Sequence, residues 1–275
     1  MGLSSNVLWH QTKEEFFFKI LEEKKIKYAY SLERVIAPEN DTEIAFPMIS
    51  MCNLPLSEFS GYISKYGGYS LGLSQQWGKA NGFTSVWYCD DTSKIRKSLV
   101  DDLKKKDKTG EINALLVKVY SYIKLTEDQM PKRNYLNYRF ADEREVRLVP
   151  SSDELNKIGS QALLVKPAYE MYKAEHGNPT INLDVAFDLS DLKYLIVPTA
   201  AEAKKVSDFF YQKGITLLIP ILTHQQILED FIGQDHNKVV SIVDNLTADE
   251  LIKAARKNMR DIDFKKQLDE LLRNK

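Results

Sequence analysis

Apolar residues fall along this chain in two rhythms, one near every third or fourth position and one at every second. Phe16, Phe17, Ile20 and Leu21 follow the first and predict an amphipathic helix with a core-facing stripe. Thr12-Lys13-Glu14-Glu15 ahead of it reads as a capping box with Thr12 at the N-cap, and Lys24-Lys25 suit its negative end. The same spacing places Leu56, Phe59, Ile63 and Tyr66 on one helix face. A further helix is predicted over 200–213, opened by Pro198-Thr199 and closed by Gly214. Another runs through Phe231 behind the capping box Thr223-His224-Gln225-Gln226, with His224 in a structural role. From Asp91 to Lys124 the pattern is helical, interrupted by the solvated basic run Lys104–Lys108. Within it Leu115–Ile123 fits helix or strand, with helix preferred. A short helix is also read over Ala168–Glu175.

The second rhythm predicts strands at Lys27–Ser31, in the apolar run Ile44–Cys52 behind a turn at Asp41-Thr42, and at Tyr69–Ser74, Thr84–Cys89, Ala162–Val165, 183–189 and 192–197. Tyr66-Gly67-Gly68-Tyr69 is a tight turn needing glycine dihedrals. The segment 126–137 is polar, carries Pro131 and leads into the central strand, and a loop is expected beyond Pro150.

The stretch Tyr138–Pro150 organises the rest. Read as a strand, it puts Glu143, Glu145 and Arg147 on one face and Arg144, Val146 and Leu148 on the other, with Pro150 ending the ladder. Val146 and Leu148 require a core. The charged face suits a sugar-phosphate ligand, carboxylates to ribose hydroxyls and guanidinium to phosphate. Cross-strand ion pairs on a wet face suit it better still.

Composition narrows the classes. The 275 residues, 43% hydrophobic and 28% charged, describe a globular chain of one large domain with an appendage. The body is expected over 1–232. Past Gly233 the composition shifts to short amphipathic helices over 233–275, opened by Thr247-Ala248-Asp249-Glu250. A net charge of −1 supplies no global pull toward nucleic acid or anionic membrane. No membrane span or signal peptide is expected, and Cys52 and Cys89 read as reduced, buried thiols of a cytoplasmic protein. The four histidines are scattered and lack metal-ligand spacing, so no metal site is expected. No Walker loop, dinucleotide fingerprint, nucleophile elbow or zincin motif occurs. What remains is the Glu143/Glu145 pair with strand-end groups: Tyr30, Ser31, Ser50, Cys52, Tyr66 and Tyr69. Such tyrosines stack on a base or form amphipathic core rims.

Four stretches, Ile49–Leu56, Tyr66–Ser74 with Trp77-Gly78, Asn81-Gly82 through Tyr88, and Phe140–Pro150, carry a resemblance to the AbiGi family of bacterial abortive-infection, phage-resistance proteins. The similarity covers residues 4–232. It implies membership of a two-gene locus, usually with the label of antitoxin, and a cognate toxin as partner. The motif order also resembles proteins of the ADP-ribosyltransferase-like class. That implies an α+β fold: a split mixed or antiparallel sheet with flanking helices and the C-terminal helical appendage. It further implies an NAD-dependent transferase acting on a protein or nucleic-acid acceptor. Glu145 would bind the nicotinamide ribose, Glu143 would help deprotonate the acceptor, and Arg147 or Arg34 would hold pyrophosphate. Tyr28-Ala29-Tyr30-Ser31 stands where active transferases carry a basic residue, and Ser50-Met51-Cys52 where they carry Ser-Thr-Ser.

Overall fold

A computed structural model describes residues 5–37, 40–59, 63, 68–90, 92–103, 105, 113–130 and 135–231. The chain divides into a body, Met1–Ile227, and a second unit, Leu228–Lys275, of which only the first four residues are described. The expected appendage over 233–275 and the capping box at Thr247 lie outside the described residues.

The class is α+β, with a mostly antiparallel sheet and eight described helices. Strand β3 (Asn40–Cys52) is its hub. Its first nine residues pair with β2 (Lys25–Ala37), and its last four pair with β10 (Glu145–Leu148). At Cys52 it meets both β10 and β1 (Val7–Thr12). Strand β1 hands on to β4 (Tyr69–Ser74), then β13 (Leu192–Val197), then β14 (Ile221–Thr223) in parallel. The other end closes with β12 (Thr180–Ala186) on β2. Two short strands, β5 (Thr84–Ser85) and β11 (Leu164–Val165), add to β10 and β3.

Strand β3 is buried on both faces, which is why its sequence reads as one apolar run rather than an alternation. Ala45, Ile49 and Met51 enter the larger core with Val146 and Leu148 of β10. Helix α1 (Glu14–Glu23) covers that face with Phe17, Ile20 and Leu21. Helix α2 (Gln75–Ala80) adds Trp77, and α7 (Ala200–Gln212) adds Val206 and Phe210. Ile44, Phe46 and Met48 point the other way, into a second core. There α3 (Lys94–Leu103) contributes Val100 and α4 (Ala114–Ser121) contributes Val117 and Tyr120. Strand β6 (Trp87–Cys89) adds Cys89 and its parallel partner β7 (Ile123–Leu125) adds Ile123.

Several expectations need correction. Thr12 is the last residue of β1 and not a helix cap: Lys13 holds the N-cap position and makes no side-chain bond there. Asp41 and Thr42 are inside β3, because their backbones pair with Ile36 and Val35. The polar segment after Thr126 is a hairpin of β8 (Glu127–Met130) and β9 (Tyr135–Arg139). Beyond Pro150 stands a helix, α5 (Ser152–Ile158), behind a reciprocal capping box of Ser151 and Glu154. Of Leu115–Ile123, the part through Ser121 is helical as preferred while Ile123 starts β7, and α6 (Lys166–His176) extends the expected Ala168–Glu175. Thr223 and Gln226 form the expected capping box at the start of α8 (His224–Phe231).

Gly68 carries the left-handed conformation that the glycine turn requires, with φ of 77°. A Cβ there would lie 2.8 Å from the Thr12 carbonyl oxygen. Gly68→Ala therefore combines left-handed strain with a backbone clash and is expected to cost about 2–3 kcal/mol. Urea unfolding of the purified variant measures it; a loss below about 0.5 kcal/mol would show that the turn relaxes freely.

Candidate functional site

The face of β10 opposite Val146 and Leu148 carries Glu145 and Arg147, as the alternation predicts. Antiparallel register puts Arg147 across from Ser50 and Glu145 across from Cys52. This face meets the second core, so α4 and β7 lie over it and both charges are buried.

Arg147 is fully enclosed, and every arm of its guanidinium is used. Nε donates to Glu145 Oε1 at 2.5 Å and Nη2 to Glu145 Oε2 at 3.1 Å. Nη2 also reaches Glu33 Oε1 on β2 at 2.6 Å. Nη1 donates to the Ser121 carbonyl at 2.7 Å. That carbonyl ends α4, so the guanidinium also sits at the negative pole of a helix. Glu145 takes two more donors: Ser50 Oγ at 2.6 Å on Oε1 and Lys124 Nζ at 2.7 Å on Oε2. Its backbone N–H donates to the Tyr88 hydroxyl at 2.8 Å.

Glu143 arrives by a different route from the one expected. Residues Phe140–Glu143 form a 3-10 turn, and Arg144 then takes a left-handed backbone with φ of 47°. The strand begins at Glu145, so Glu143 and Glu145 do not share a strand face. They still converge, because Glu143 accepts from Tyr138 Oη at 2.7 Å and lies 3.8 Å from Lys124 Nζ. Lys124 also stands over the Phe140 ring, 4.5 Å from its centroid.

The electrostatics follow from this crowding. Burial alone would push the Glu145 carboxyl up; the Arg147 and Lys124 charges and their hydrogen bonds outweigh it and hold the group far below the usual carboxylate range. Burial would likewise lower Lys124 and Arg147, and the Glu145 and Glu33 charges raise both instead. His10 is the neighbouring exception. Its ring nitrogen lies 3.4 Å from the Ser50 carbonyl, and burial pushes the imidazole down to about 4.

Of the residues expected to bind a ligand, Ser50, Glu145 and Arg147 come together. Arg147 is enclosed and does not present its guanidinium to a phosphate. Tyr30 is elsewhere, in the larger core against Tyr172, its hydroxyl donating to the Gln161 carbonyl at 2.7 Å. Ser31 follows it, half-buried, opposite Phe46. Arg34 is exposed and pairs with Asp128 at 2.6 Å. Cys52 is buried at the end of β3. Tyr69 packs on Phe17 in the larger core. Tyr66 lies outside the described residues. Sequence reasoning missed Lys124, Glu33, Tyr88 and Tyr138. For Lys124 a signal existed: Ile123-Lys124-Leu125 alternates as a strand with its charge on one face.

Beside the network is an open cleft of about 360 Å³, bordered by Asn53, Tyr88, Arg144 and Glu145. The network holds β2, β3, β7, β10 and α4 together, and Glu145 lies between it and the cleft, which Tyr88 also lines. No helix among the described residues is long and apolar enough to cross a membrane.

Fold and network together define an α+β protein in which a cluster of buried charges ties the sheet to its covering layer. The chain belongs to the AbiGi family: the family model described as "Putative abortive phage resistance protein AbiGi, antitoxin" matches residues 14–198. No curated protein and no solved structure matches the chain.

Proposed function

We propose that the chain is the non-catalytic antitoxin of a two-gene bacterial abortive-infection locus, binding and neutralising its cognate toxin by surface contact. The family description supports it. The observation that carries it is the state of Glu145. Both of its oxygens are engaged by Arg147, with Ser50 and Lys124 adding one bond each, and the group is almost wholly buried. A carboxylate so satisfied has no capacity left to take a proton or to stabilise a developing cation. The test is expression. The chain alone is expected to leave host growth unchanged, and to restore growth and co-purify with the toxin when the two are co-expressed. Growth arrest by the chain alone, relieved by Glu145→Gln, would overturn the reading.

One observation favours a second reading, an ADP-ribosyltransferase-like enzyme. Ser50 Oγ donates to Glu145 at 2.6 Å and Glu145 borders the cleft, which is where that resemblance puts a ribose-binding glutamate. Calorimetric titration of NAD into the wild type and Glu145→Ala separates the two. Saturable binding lost in the variant favours the enzyme, and no binding to a folded wild type removes it.

A further inference from the structure

At the β14 end of the sheet, α7 and the stretch 215–220 that leads from it into β14 border an apolar groove. Burial alternates along that stretch. Ile215, Leu217 and Ile219 are half-buried against the larger core, whereas Thr216, Leu218 and Pro220 are exposed. The inward set, with Ile221 of β14 and with Phe210 and Tyr211 of α7, lines a groove of about 410 Å³. Its walls are fixed at both ends. The Ile215 N–H donates to the Phe210 carbonyl at 3.0 Å, and the Leu195 N–H on β13 donates to the Pro220 carbonyl at 3.1 Å. The groove is therefore preformed, and an occupant does not have to order it.

Two side chains there are left outside the core. Tyr211 is 84% exposed and Leu218 89%, the highest values among the large apolar residues described. One exposed apolar residue is ordinary; two beside an apolar groove form the kind of patch that a partner covers. The surrounding charges say which kind of partner. Lys213 pairs with Glu22 at 2.6 Å, Lys204 with Asp208 at 2.7 Å and Lys205 with Glu14 at 3.0 Å. From Gly214 to Thr223 the chain carries no charged residue. The patch thus offers a charged partner nothing to complement, and set against its own copy it brings no unbalanced like charges together. A net charge of −1 adds almost no repulsion between two whole chains.

We propose that this groove is a dimer interface, on which a second copy of the chain docks about a two-fold axis so that the Tyr211 and Leu218 of each copy cover the groove of the other. A two-fold contact uses the same patch on both sides, so that patch must supply both the hollow and what fills it. Here groove and exposed side chains lie side by side. Had they lain on separate faces, the contact would run head to tail and stay open-ended. The inference stands apart from the antitoxin reading and asks nothing of the toxin. The patch is small beside the roughly 800 Å² per partner of a standard interface, which makes the dimer a reversible one with Kd on the order of 10 µM.

Sedimentation velocity of the full chain, at concentrations well below and well above that value, tests it. The wild type is expected to pass from monomer to dimer and to stop there. Raised salt should leave the midpoint in place, because no charge pair crosses the interface. Tyr211→Glu and Leu218→Glu keep the fold, since both side chains stand in solvent. Each is expected to raise Kd by about tenfold or more, because a two-fold axis enters every substitution twice. Met171→Glu, at an apolar residue of α6 that is 73% exposed, is expected to leave Kd unchanged. A chain that stays monomeric throughout overturns the proposal, and so does association that continues past the dimer. A dimer indifferent to both groove variants, or lost equally in Met171→Glu, overturns it as well. If the co-expressed toxin binds the monomeric wild type but not Tyr211→Glu, the groove belongs to the toxin and the dimer is refuted.

Discussion

Arg147→Met is expected to lower folding stability by about 3–5 kcal/mol. The size comes from what the substitution leaves behind. Arg147 is fully buried and neutralises Glu145 and Glu33, with the Ser121 carbonyl as its third acceptor. Methionine fills much of the same volume, so packing changes little and the loss is electrostatic. Glu145 keeps Lys124 and Ser50, but Glu33 loses its 2.6 Å contact and the helix end loses its donor. Arg147→Lys is no substitute, since one ammonium cannot span a carboxylate on its own strand, another on β2 and a carbonyl on α4. It is expected to cost about half as much. Arg147→Met with Glu145→Gln should recover part of the loss by removing one of the stranded charges, a non-additivity a double-mutant cycle reads directly. Urea unfolding followed by tryptophan fluorescence and circular dichroism measures all three. A single-variant loss under 1 kcal/mol would falsify the view that this network ties sheet to covering layer.

What the sequence made legible was whatever depends on local pattern. The residues after Pro47 in the run Ile44–Cys52 read as a buried strand because both faces of β3 meet a core, and the strand continues through the proline. Thr223 and Gln226 cap α8 because the capping box is a four-residue device. Strand β1 has no local signature, because Val7-Leu8-Trp9-His10-Gln11-Thr12 has no clean alternation; pairing with β4 over its whole length makes it a strand. The hairpin of β8 and β9 is polar and is likewise a product of pairing. Helix α5 was readable, since Ser151-Ser152-Asp153-Glu154 carries a cap signature, but the preceding proline favoured a loop.

The site divides the same way. Side-chain alternation places Glu145 and Arg147 together, and β-register adds Ser50. Nothing local says whether that face meets water or protein. The answer is supplied by α4 and β7, whose own apolar residues Val117, Tyr120 and Ile123 need a surface to cover. Once they cover it, charges that would have been ligand groups on an open face become one another's partners. The left-handed Arg144 has no sequence mark at all, because arginine is not a residue that chooses that conformation. With the 3-10 turn before it, it separates Glu143 from the strand.

Acid is expected to weaken the fold in two separable steps. His10 is neutral in the folded protein down to about pH 4, whereas in the unfolded chain it takes up a proton near its ordinary 6.5. Between those values the unfolded state binds more protons, so stability falls as pH is lowered through the window and the loss ends near pH 4. The shift alone would be worth about 3 kcal/mol; with the residue only partly buried we expect about 2. Glu145 works from a lower starting point. Its folded carboxyl lies far below the ordinary 4.5, so its contribution is complete above that pH and drains away as acid protonates the unfolded chain first. A plot of urea midpoint against pH should therefore be flat near neutrality, decline gently below about 6.5 and steepen below about 4.5. His10→Phe should remove most of the first decline, burial of His224 lowering that imidazole too and supplying the rest, and leave the second. Glu145→Gln should remove the second from a lower plateau, because Arg147 and Lys124 then face an uncharged partner. A wild-type midpoint unchanged from pH 7 to pH 4 would mean that His10 is already accessible and charged in the folded protein. The ring would then stand in water, not behind the Ser50 carbonyl.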